Sequence, residues 1–407
     1  MTNMKNSNFY KKTAQALGTP VFIYWEKRLE TNISRIKQAA EHHLANRELG
    51  IYIPYFTNSN PYLFSIVRKH GCGIAIQSTE EWHQLNAHNL ADKLIASPTV
   101  LPQEELKFLL EKGVRVNLSS IDEVEWQINN FPEKNIFIRL DISVDSSQRT
   151  GIKPWEITGL RKILKKNNKA LAGVHIYVGT LSTFEKIVKY TDIVLALVSR
   201  EFPEIEMVNL GGGFYYNYEK TFNQHFDWDA YFAMLAKKIG TYNLSPNMKF
   251  EIEPGRDVFA DVGELVLSIH HVVWNERGTI CQIFTDGSYV YMPSATVRER
   301  KHQLLFLDSQ FKESSDRSIS GWLNGSTTLS SDFLLPVIIE VPLDVKSGHF
   351  VIVKDIGAYG ATQHLEFLNR RPAAEALITD NKVQIINERG AMTDKIRSVP
   401  QKPIFIK

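Results

Sequence analysis

The sequence contains little cysteine. Cys72 and Cys281 are the two cysteines among its 407 residues, and neither belongs to a C-x-x-C pair. This argues against a disulfide framework and against a zinc site. Such cysteine usage fits a reducing compartment, so we expect a cytoplasmic protein that holds no metal.

The sequence also lacks an excess of charge of one sign. Lys plus Arg number 47 against 45 Asp plus Glu, a formal net charge of +2, so no strong field recruits nucleic acid or an acidic membrane surface. No segment approaches the roughly 20 apolar residues of a membrane span. The opening residues, MTNMKNSNFYKK, lack the apolar run of a signal peptide. We therefore expect neither nucleic acid nor a membrane as a partner, but a small molecule or another protein.

Two short apolar runs end abruptly at residues suited to holding an anion. Met207–Leu210 is followed by Gly211–Gly213, where the missing Cβ atoms let backbone N–H groups approach a ligand and allow positive φ. Lys249–Ile252 is followed by Glu253–Arg256, which offers a carboxylate, a rigid Pro-Gly turn and a guanidinium. The two turns together indicate a bound phosphate with a neighbouring group that needs a carboxylate.

Up to Asp257 the chain alternates between short β-branched or apolar runs and amphipathic helical segments. Eight strands are predicted: Ile51–Phe56, Gly73–Ile76, Lys93–Ser97, Val114–Leu118, Ile136–Leu140, Ala170–Val178, Met207–Leu210 and Lys249–Ile252. A helix is predicted in each of the seven gaps, as in Gln103–Lys112 and Ile121–Phe131. Strict alternation with eight strands predicts an α/β fold, a (β/α)8 TIM-like barrel. Such barrels bind phosphate after strands seven and eight, where the two turns stand.

Beyond Asp257 the pattern changes to β-rich runs without regular helices. These runs are Glu264–Trp274, Thr279–Thr285, Val337–Val341 and Phe350–Lys354. The polar stretch Leu307–Ser331 is predicted to be a loop. We therefore predict a barrel over residues 27–262 and a C-terminal all-β domain made of residues 1–26 and 263–407.

Eight segments, in this order, carry a resemblance to a known family: TPVFIY, FTNSNP, GCGIAIQSTEE, VHIYVGT, VNLGGGF, FEIEPGRD, GSTTLSSD and GAYGATQHLEFLNRRPAAEAL. They cover nearly the whole chain and resemble the fold-type III pyridoxal-phosphate decarboxylases, which act on diaminopimelate, ornithine and related amino acids. The resemblance implies an alanine racemase/decarboxylase-like fold and a homodimer. It also implies pyridoxal 5'-phosphate at the barrel mouth, in a site completed by the partner's β domain.

The resemblance implies roles for particular residues. A phosphate cradle is matched by Gly211, Gly212, Gly213, Gly255 and Arg256. Glu253 matches the carboxylate that keeps the pyridine nitrogen protonated, so that the ring withdraws electrons from a substrate carbanion. Arg139 matches an arginine of the site, and Tyr359 matches a tyrosine that reaches the phosphate from the β domain.

The sequence departs from the family where the chemistry is carried. The Schiff-base lysine of a pattern like Y-x-x-K-x-N-S-N is Phe56 here, or Asn58 if the register shifts by two. Tyr177 replaces the histidine that stacks on the ring, and Thr328 replaces a proton-delivering cysteine in the turn that ends at Asp332. These last three are the candidate catalytic residues. Because a lysine amine holds the aldehyde as an imine, we expect non-covalent cofactor binding without ordinary turnover.

Three functional interpretations stay open. The first is a ligand-binding homologue, a pseudoenzyme of amino-acid metabolism with altered or absent decarboxylase chemistry. The second is a non-catalytic subunit that completes the site of an active paralogue. The third is a genuine decarboxylase of a diamino acid or amino-acid conjugate, with a lysine from elsewhere in the chain. We expect a small amino-acid-like ligand, and either a homodimer or a heterodimer with a paralogue.

Purely structural interpretations compete with these. Gly211–Gly213 can form a tight turn without a ligand, and Glu253 with Arg256 can form an ion pair that holds a turn. Phe56 and Tyr177 can be aromatic residues that fill a disused pocket.

Overall fold

The computed structural model describes residues 4–44, 47–142, 150–221, 223–297, 300–314, 317–380 and 382–390. The chain divides into two units, Leu29–Val258 and Met1–Arg28 together with Phe259–Lys407. Among the described residues, no helix combines the length and the apolar character that a membrane crossing requires.

The unit Leu29–Val258 is a closed barrel of eight parallel strands. Helix α1 (Met4–Leu17), strand β1 (Val21–Trp25) and helix α2 (Glu26–His43) precede it in the chain. The barrel strands are β2 (Leu49–Pro54), β3 (Gly73–Ile76), β4 (Leu94–Ala96), β5 (Arg115–Leu118), β6 (Ile136–Leu140), β7 (Leu171–Ile176), β8 (Met207–Asn209) and β9 (Lys249–Ile252). Each strand pairs with the next, and β9 closes the ring on β2. The predicted barrel is confirmed, with strand ends that differ by at most two residues.

A helix follows each of the first seven barrel strands. They are α3 (Pro61–Lys69), α4 (Thr79–Ala87), α5 (Gln103–Glu111), α6 (Ile121–Asn130), α7 (Ile157–Lys166), α8 (Phe184–Glu201) and α9 (Trp228–Thr241). Helices α4 and α6 begin in the same way, because Ser78 and Ser120 each accept a hydrogen bond from the N–H of a glutamate three residues later. Such caps satisfy N–H groups that a helix start leaves without an internal partner.

Side chains from alternate strand residues fill the barrel. Tyr52, Ala75 and Ile95, on three neighbouring strands, form one buried cluster. The Arg115 guanidinium lies 5.3 Å from the centre of the Tyr52 ring, and its Nη1 donates to Glu251 Oε1 at 2.8 Å. Because successive strand residues point to opposite faces, the residue two positions after Glu251 also points inward, at the carboxyl end of the barrel.

The second unit is built on a sheet of nine strands. Its members besides β1 are β10 (Gly263–Trp274), β11 (Cys281–Thr285), β12 (Leu304–Leu307), β13 (Ser318–Asn324), β14 (Ile339–Pro342), β15 (Phe350–Val353), β16 (Ala374–Thr379) and β17 (Lys382–Asn387). The order is β14-β13-β11-β10-β1-β16-β17, and β15 pairs with both β10 and β12. Two short helices, α10 (Arg256–Phe259) and α11 (Pro293–Val297), interrupt the chain. The predicted β domain is confirmed as a separate unit that is built mostly of strands.

The predicted loop Leu307–Ser331 is wrong in part, because it contains β13. This strand pairs in parallel with β11 and antiparallel with β14. Its sequence, SISGWLN, alternates too weakly to indicate a strand by itself. Backbone pairing with strands that are distant in the chain outweighs the weak local preference.

A buried carboxylate ties the N-terminal segment to this sheet. Glu264 is fully buried, and its Oε2 accepts hydrogen bonds from Tyr10 Oη at 2.7 Å and from the Trp25 indole N–H at 2.9 Å. Its Oε1 lies 2.8 Å from Lys354 Nζ and 3.2 Å from Arg28 Nη1. Burial acts to raise the pKa of Glu264, but Lys354, Arg28 and Tyr10 outweigh it and hold the pKa below its usual value. The group is therefore ionised at neutral pH.

Candidate functional site

The glycine triplet after β8 lets three strand ends approach one another closely. Gly211 and Gly213 have φ of +68° and +103°, and a Cβ on Gly211 would overlap the carbonyl oxygen of Ile176 at the end of β7. A Cβ on Gly212 would lie 2.6 Å from the carbonyl oxygen of Glu253. The Gly211 N–H donates to Asn209 Oδ1 at 2.8 Å. Glycine is thus required here by packing, and the same packing brings this backbone beside the end of β9.

Glu253 follows β9 and is a buried carboxylate at the carboxyl end of the barrel. Its Oε1 accepts a hydrogen bond from Asn209 Nδ2 at 2.8 Å and lies 3.3 Å from His175 Nε2. Burial acts to raise the pKa of Glu253, but His175, Asn209 and Arg115 outweigh burial and leave the pKa below its usual value. The carboxylate is therefore ionised at neutral pH and can stabilise a protonated ring nitrogen.

A second carboxylate, Glu251 on β9, lies one inward position below Glu253. Glu251 pairs with Arg115 through both oxygens, and Asn209 Nδ2 also donates to Glu251 Oε2 at 3.2 Å. Asn209 therefore touches both carboxylates. Its amide oxygen is engaged by Gly211, so one side chain links the glycine turn to both acidic residues.

Arg256 begins α10 directly after the Glu253–Gly255 turn. Its Nη1 donates to Tyr218 Oη at 2.8 Å, and its guanidinium lies 5.9 Å from the centre of the Tyr218 ring. A Cβ on Gly255 would overlap the hydroxyl of Thr57, which follows β2. Thr57 Oγ1 is fully buried and has no hydrogen-bond partner among the described residues. A hydroxyl in that state costs free energy, and such groups concentrate at functional sites.

The next residue anchors this turn. Asp257 is fully buried, and its carboxylate accepts hydrogen bonds from Arg35 Nη2 at 2.7 Å, Phe226 N at 2.9 Å and Trp228 Nε1 at 2.7 Å. His225 Nδ1 lies 3.0 Å away. Burial acts to raise the pKa of Asp257, but His225, Arg35 and Trp228 leave it lowered. The sequence places Asp257 at the end of its motif without indicating this structural role.

Arg139 and Tyr177 lie close together at the ends of the neighbouring strands β6 and β7. Arg139, on β6, is buried and donates from Nη1 to the carbonyl oxygen of Ser97 at 3.2 Å. Its guanidinium lies 5.9 Å from the centre of the Tyr177 ring. Tyr177 Oη in turn lies 2.9 Å from Thr180 Oγ1. The structure thus brings two of the predicted site residues together.

The segment that contains Phe56 and Asn58 is a strand-to-helix turn. Tyr55–Thr57 form a single 3₁₀ turn after β2, in which Phe56 is partly buried, and Asn58 is 2% exposed. Asn58 Oδ1 accepts from the Asn60 N–H at 3.3 Å, and Asn60 caps helix α3. The asparagines of this motif therefore organise the turn locally.

One lysine that sequence reasoning missed lies at the same end of the barrel. Ile152 forms a bridge with Leu140 at the end of β6, and Lys153 Nζ contacts the buried carboxylate of Asp141. Gly151 has φ of +139°, and a Cβ there would lie 2.8 Å from Asp141 N. The bridge between Leu140 and Ile152 is a long-range contact that no local sequence pattern indicates.

The predicted residues of the second unit lie in two turns. Asp332 is buried, and its oxygens accept from Ser288 Oγ at 3.0 Å, Tyr289 N at 2.9 Å and Thr327 N at 2.8 Å. It therefore organises the turn in which Thr328 is exposed. Tyr359 is partly buried and has φ of +60°.

Comparison with known proteins identifies the family. Residues 31–260 match the family described as "Pyridoxal-dependent decarboxylase, pyridoxal binding domain". The chain belongs to the pyridoxal-dependent decarboxylase family. It is 24% identical to a diaminopimelate decarboxylase of Neisseria meningitidis, over 95% of this chain and 96% of that protein. The resemblance to this family found in the sequence is confirmed.

Solved structures show the same fold. A diaminopimelate decarboxylase superposes with a TM-score of 0.84 at 18% identity, over 96% of each chain. The diaminopimelate decarboxylase of Helicobacter pylori, complexed with L-lysine, superposes with a TM-score of 0.82 at 19% identity, over 96% of this chain and 98% of that one. At these identities the likeness supports the fold of this pyridoxal-dependent decarboxylase homologue.

Pyridoxal phosphate is therefore a possible cofactor, and the barrel mouth fits part of it. The glycine turn at Gly211–Gly213 and the guanidinium of Arg256 suit a phosphate. The ionised Glu253 suits a pyridinium nitrogen. The turn from Tyr55 to Asn60 contains no lysine, so it offers no amine to the aldehyde.

Proposed function

We propose that the protein binds pyridoxal phosphate reversibly at its barrel mouth and has altered or absent decarboxylase chemistry. One observation carries the proposal. The buried, ionised Glu253 lies beside Gly211–Gly213, whereas Phe56 occupies the turn after β2 in which we place the family's lysine. Groups that hold the cofactor are present, and the amine for an imine in that turn is absent.

In this proposal each residue has a defined task. Glu253 keeps the ring nitrogen protonated, because a nearby ionised carboxylate favours the cationic form. Gly211–Gly213 and Arg256 hold the phosphate. Tyr177 stacks on the ring, with a favourable contribution of about 0.5–1.5 kcal/mol for an aromatic pair, and the Arg139 guanidinium lies 5.9 Å from the centre of the Tyr177 ring. When bound, the cofactor supplies an electron-withdrawing ring that stabilises a neighbouring carbanion.

The proposed ligand is a small amino acid or an amino-acid conjugate. The relatives are diaminopimelate decarboxylases by name, and one of their structures contains L-lysine. Arg139 is a buried cation of the mouth and suits a ligand carboxylate, since a planar guanidinium can bind both carboxylate oxygens. Thr328 is a far poorer acid than the thiol that it replaces, which fits weak or altered chemistry.

We also propose a dimer, either a homodimer or a heterodimer with a paralogue. Tyr359 and the turn 325–332 belong to the second unit, and the resemblance assigns such residues to a neighbouring subunit's site. In a heterodimer this chain would complete the site of an active paralogue. Light scattering at micromolar concentration should give twice the mass of the chain. A monomer mass, with no binding to a paralogue, would contradict this.

The compartment that we propose is the cytoplasm. Cys72 and Cys281 are both buried thiols, and unpaired thiols persist where the surroundings are reducing. Fractionation of the cells that make the protein should recover it in the cytoplasmic fraction, and recovery outside the cell would reject the assignment.

A specific observation favours a second candidate, a genuine decarboxylase with its amine elsewhere. Lys153 directly follows Ile152, which forms a bridge with Leu140 at the end of β6, and it therefore lies at the same end of the barrel as Glu253. Its ammonium group is held by the buried Asp141. The amine becomes a nucleophile after it loses a proton and leaves this ion pair, which explains why we rank this candidate second.

Borohydride trapping distinguishes the two candidates. The protein is incubated with one equivalent of pyridoxal phosphate, reduced with sodium borohydride, digested and mapped by mass spectrometry. If the first candidate is right, dialysis of the unreduced sample removes the cofactor. After reduction, no lysine is then modified more than the exposed Lys69, which reports the background. The second predicts modification at Lys153, which Lys153→Arg abolishes while the positive charge is kept. Failure of the protein to bind the cofactor at all would reject both.

A further inference from the structure

Three side chains that suit a metal converge on the outside of the barrel unit. His42 and His43 are the last two residues of α2, and Asp229 lies in the first turn of α9. In the described part of the chain they form a group whose three ligand atoms lie within 4.8 Å of one another. The group lies apart from the barrel mouth, and the proposed function leaves it without a role.

The distances match a four-coordinate zinc ion after a small movement. Asp229 Oδ1 lies 2.8 Å from His43 Nε2 and 3.6 Å from His42 Nδ1. With zinc–ligand bonds of about 2.0–2.2 Å at tetrahedral angles, neighbouring ligand atoms are separated by about 3.4 Å. The side chains of His42 and Asp229 are 73% and 69% exposed, so both can adjust by the roughly 0.6 Å that separates the shorter distance from this ideal.

Two features hold the ligands in place. Helix α2 is anchored by a buried apolar face that includes Ile36 and Ala40, so the two imidazoles project from a rigid helix end. Asp227 caps α9 by accepting a hydrogen bond from the Ala230 N–H at 2.9 Å, which fixes the turn that carries Asp229. The imidazole rings of His42 and His43 have centres 4.4 Å apart.

The local electrostatics admit a cation. The C-terminal end of α2 favours positive charge, whereas the N-terminal end of α9 opposes it. The carboxylates of Asp227 and Asp229 offset the second effect.

Although the scarcity of cysteine argued against a metal site, we propose that His42, His43 and Asp229 form a zinc-binding site with an open fourth position. Two imidazoles and one carboxylate are a donor set that zinc accepts, and a site with three protein ligands leaves one position for water or another ligand. His42 and Asp229 also line a groove of about 640 Å³, together with Arg35, Gln38 and Gln224. A ligand of zinc that enters this groove, such as an imidazole or a carboxylate, would reach the metal.

Isothermal titration of the untagged, full-length protein with zinc chloride in a phosphate-free buffer tests the proposal. We expect one equivalent of zinc to bind with micromolar or tighter affinity. His43→Ala and Asp229→Asn should each weaken binding at least tenfold. Asp229→Asn keeps an oxygen that can accept the hydrogen bond from His43, so it removes the anionic ligand without removing the contact between the helices.

Matched controls exclude effects of surface charge alone. Asp122 occupies in α6 the same position in the first turn as Asp229 in α9, and it is exposed. The two control variants are Asp122→Asn and His88→Ala. Each should leave the zinc affinity within twofold of that of the original protein. Zinc should also raise the melting temperature of the original protein and of both controls, but not that of Asp229→Asn. The proposal is rejected if the original protein shows no saturable binding, or if Asp229→Asn and His43→Ala bind as tightly as the controls.

Discussion

The substitution Glu253→Gln tests the charge on which cofactor binding is proposed to depend. Glutamine has nearly the same shape, and its Oε1 can still accept the hydrogen bond that Asn209 Nδ2 makes at 2.8 Å. The negative charge beside His175 is lost. A neutral amide also cannot favour the protonated form of a ring nitrogen as a carboxylate does.

The expected loss of affinity follows from one charge-assisted hydrogen bond. Such bonds contribute about 1.5–3 kcal/mol, and each 1.4 kcal/mol is a factor of ten. The dissociation constant for pyridoxal phosphate should therefore rise about 10- to 100-fold. Because burial raises the pKa of Glu253 but His175, Asn209 and Arg115 leave it below its usual value, the contribution is fully present at neutral pH. It is lost as the pH falls through the lowered pKa of Glu253.

Glu251→Gln is the matched control, since this carboxylate lies one inward position lower and also touches Asn209. The substitution breaks the largely buried ion pair with Arg115. Loss of such a pair should lower the free energy of unfolding by about 3 kcal/mol. The substitution should leave cofactor affinity within threefold. Affinities come from quenching of protein fluorescence on titration, and stabilities from urea unfolding. Equal affinity of Glu253→Gln and the original protein, or equal weakening by both variants, would refute the role of Glu253.

Three further predictions concern stability and chemistry. Glu264→Gln should lower the free energy of unfolding by about 3–5 kcal/mol in urea at pH 7, because two cations lose a buried partner. The folded-state pKa of Glu264 is lowered. The original protein should therefore begin to lose this advantage as the pH falls below the ordinary glutamate pKa of about 4.3. Gly211→Ala should cost about 3 kcal/mol or more, because its Cβ overlaps a backbone oxygen at positive φ, whereas Gly240→Ala, in open space on a helix, should gain up to about 1 kcal/mol. Phe56→Lys should produce a new visible absorbance band with pyridoxal phosphate yet release carbon dioxide from diaminopimelate barely above background, and vigorous release would show that only the lysine is missing.

Local sequence patterns predicted the strands and helices of the barrel more completely than those of the second unit. Alternation of apolar runs with amphipathic segments was strong enough to predict all eight barrel strands. β13 escaped prediction because SISGWLN gains its stability from pairing with Cys281–Thr285 and Ile339–Pro342, which no window of sequence contains. Lys153 escaped because its place at the barrel mouth depends on the bridge between Leu140 and Ile152.

The sequence by itself determined that Gly211–Gly213 and Glu253–Arg256 lie at one end of the molecule. In a parallel barrel the carboxyl ends of all strands meet on the same face, so motifs at consecutive strand ends must be neighbours. Only the tertiary structure decided that Glu253 contacts His175 and Asn209, rather than Arg256, and that Arg256 donates to Tyr218. Partners and burial, which set the charge of a carboxylate, come from strands that are far apart in the chain and are known only once those strands have packed.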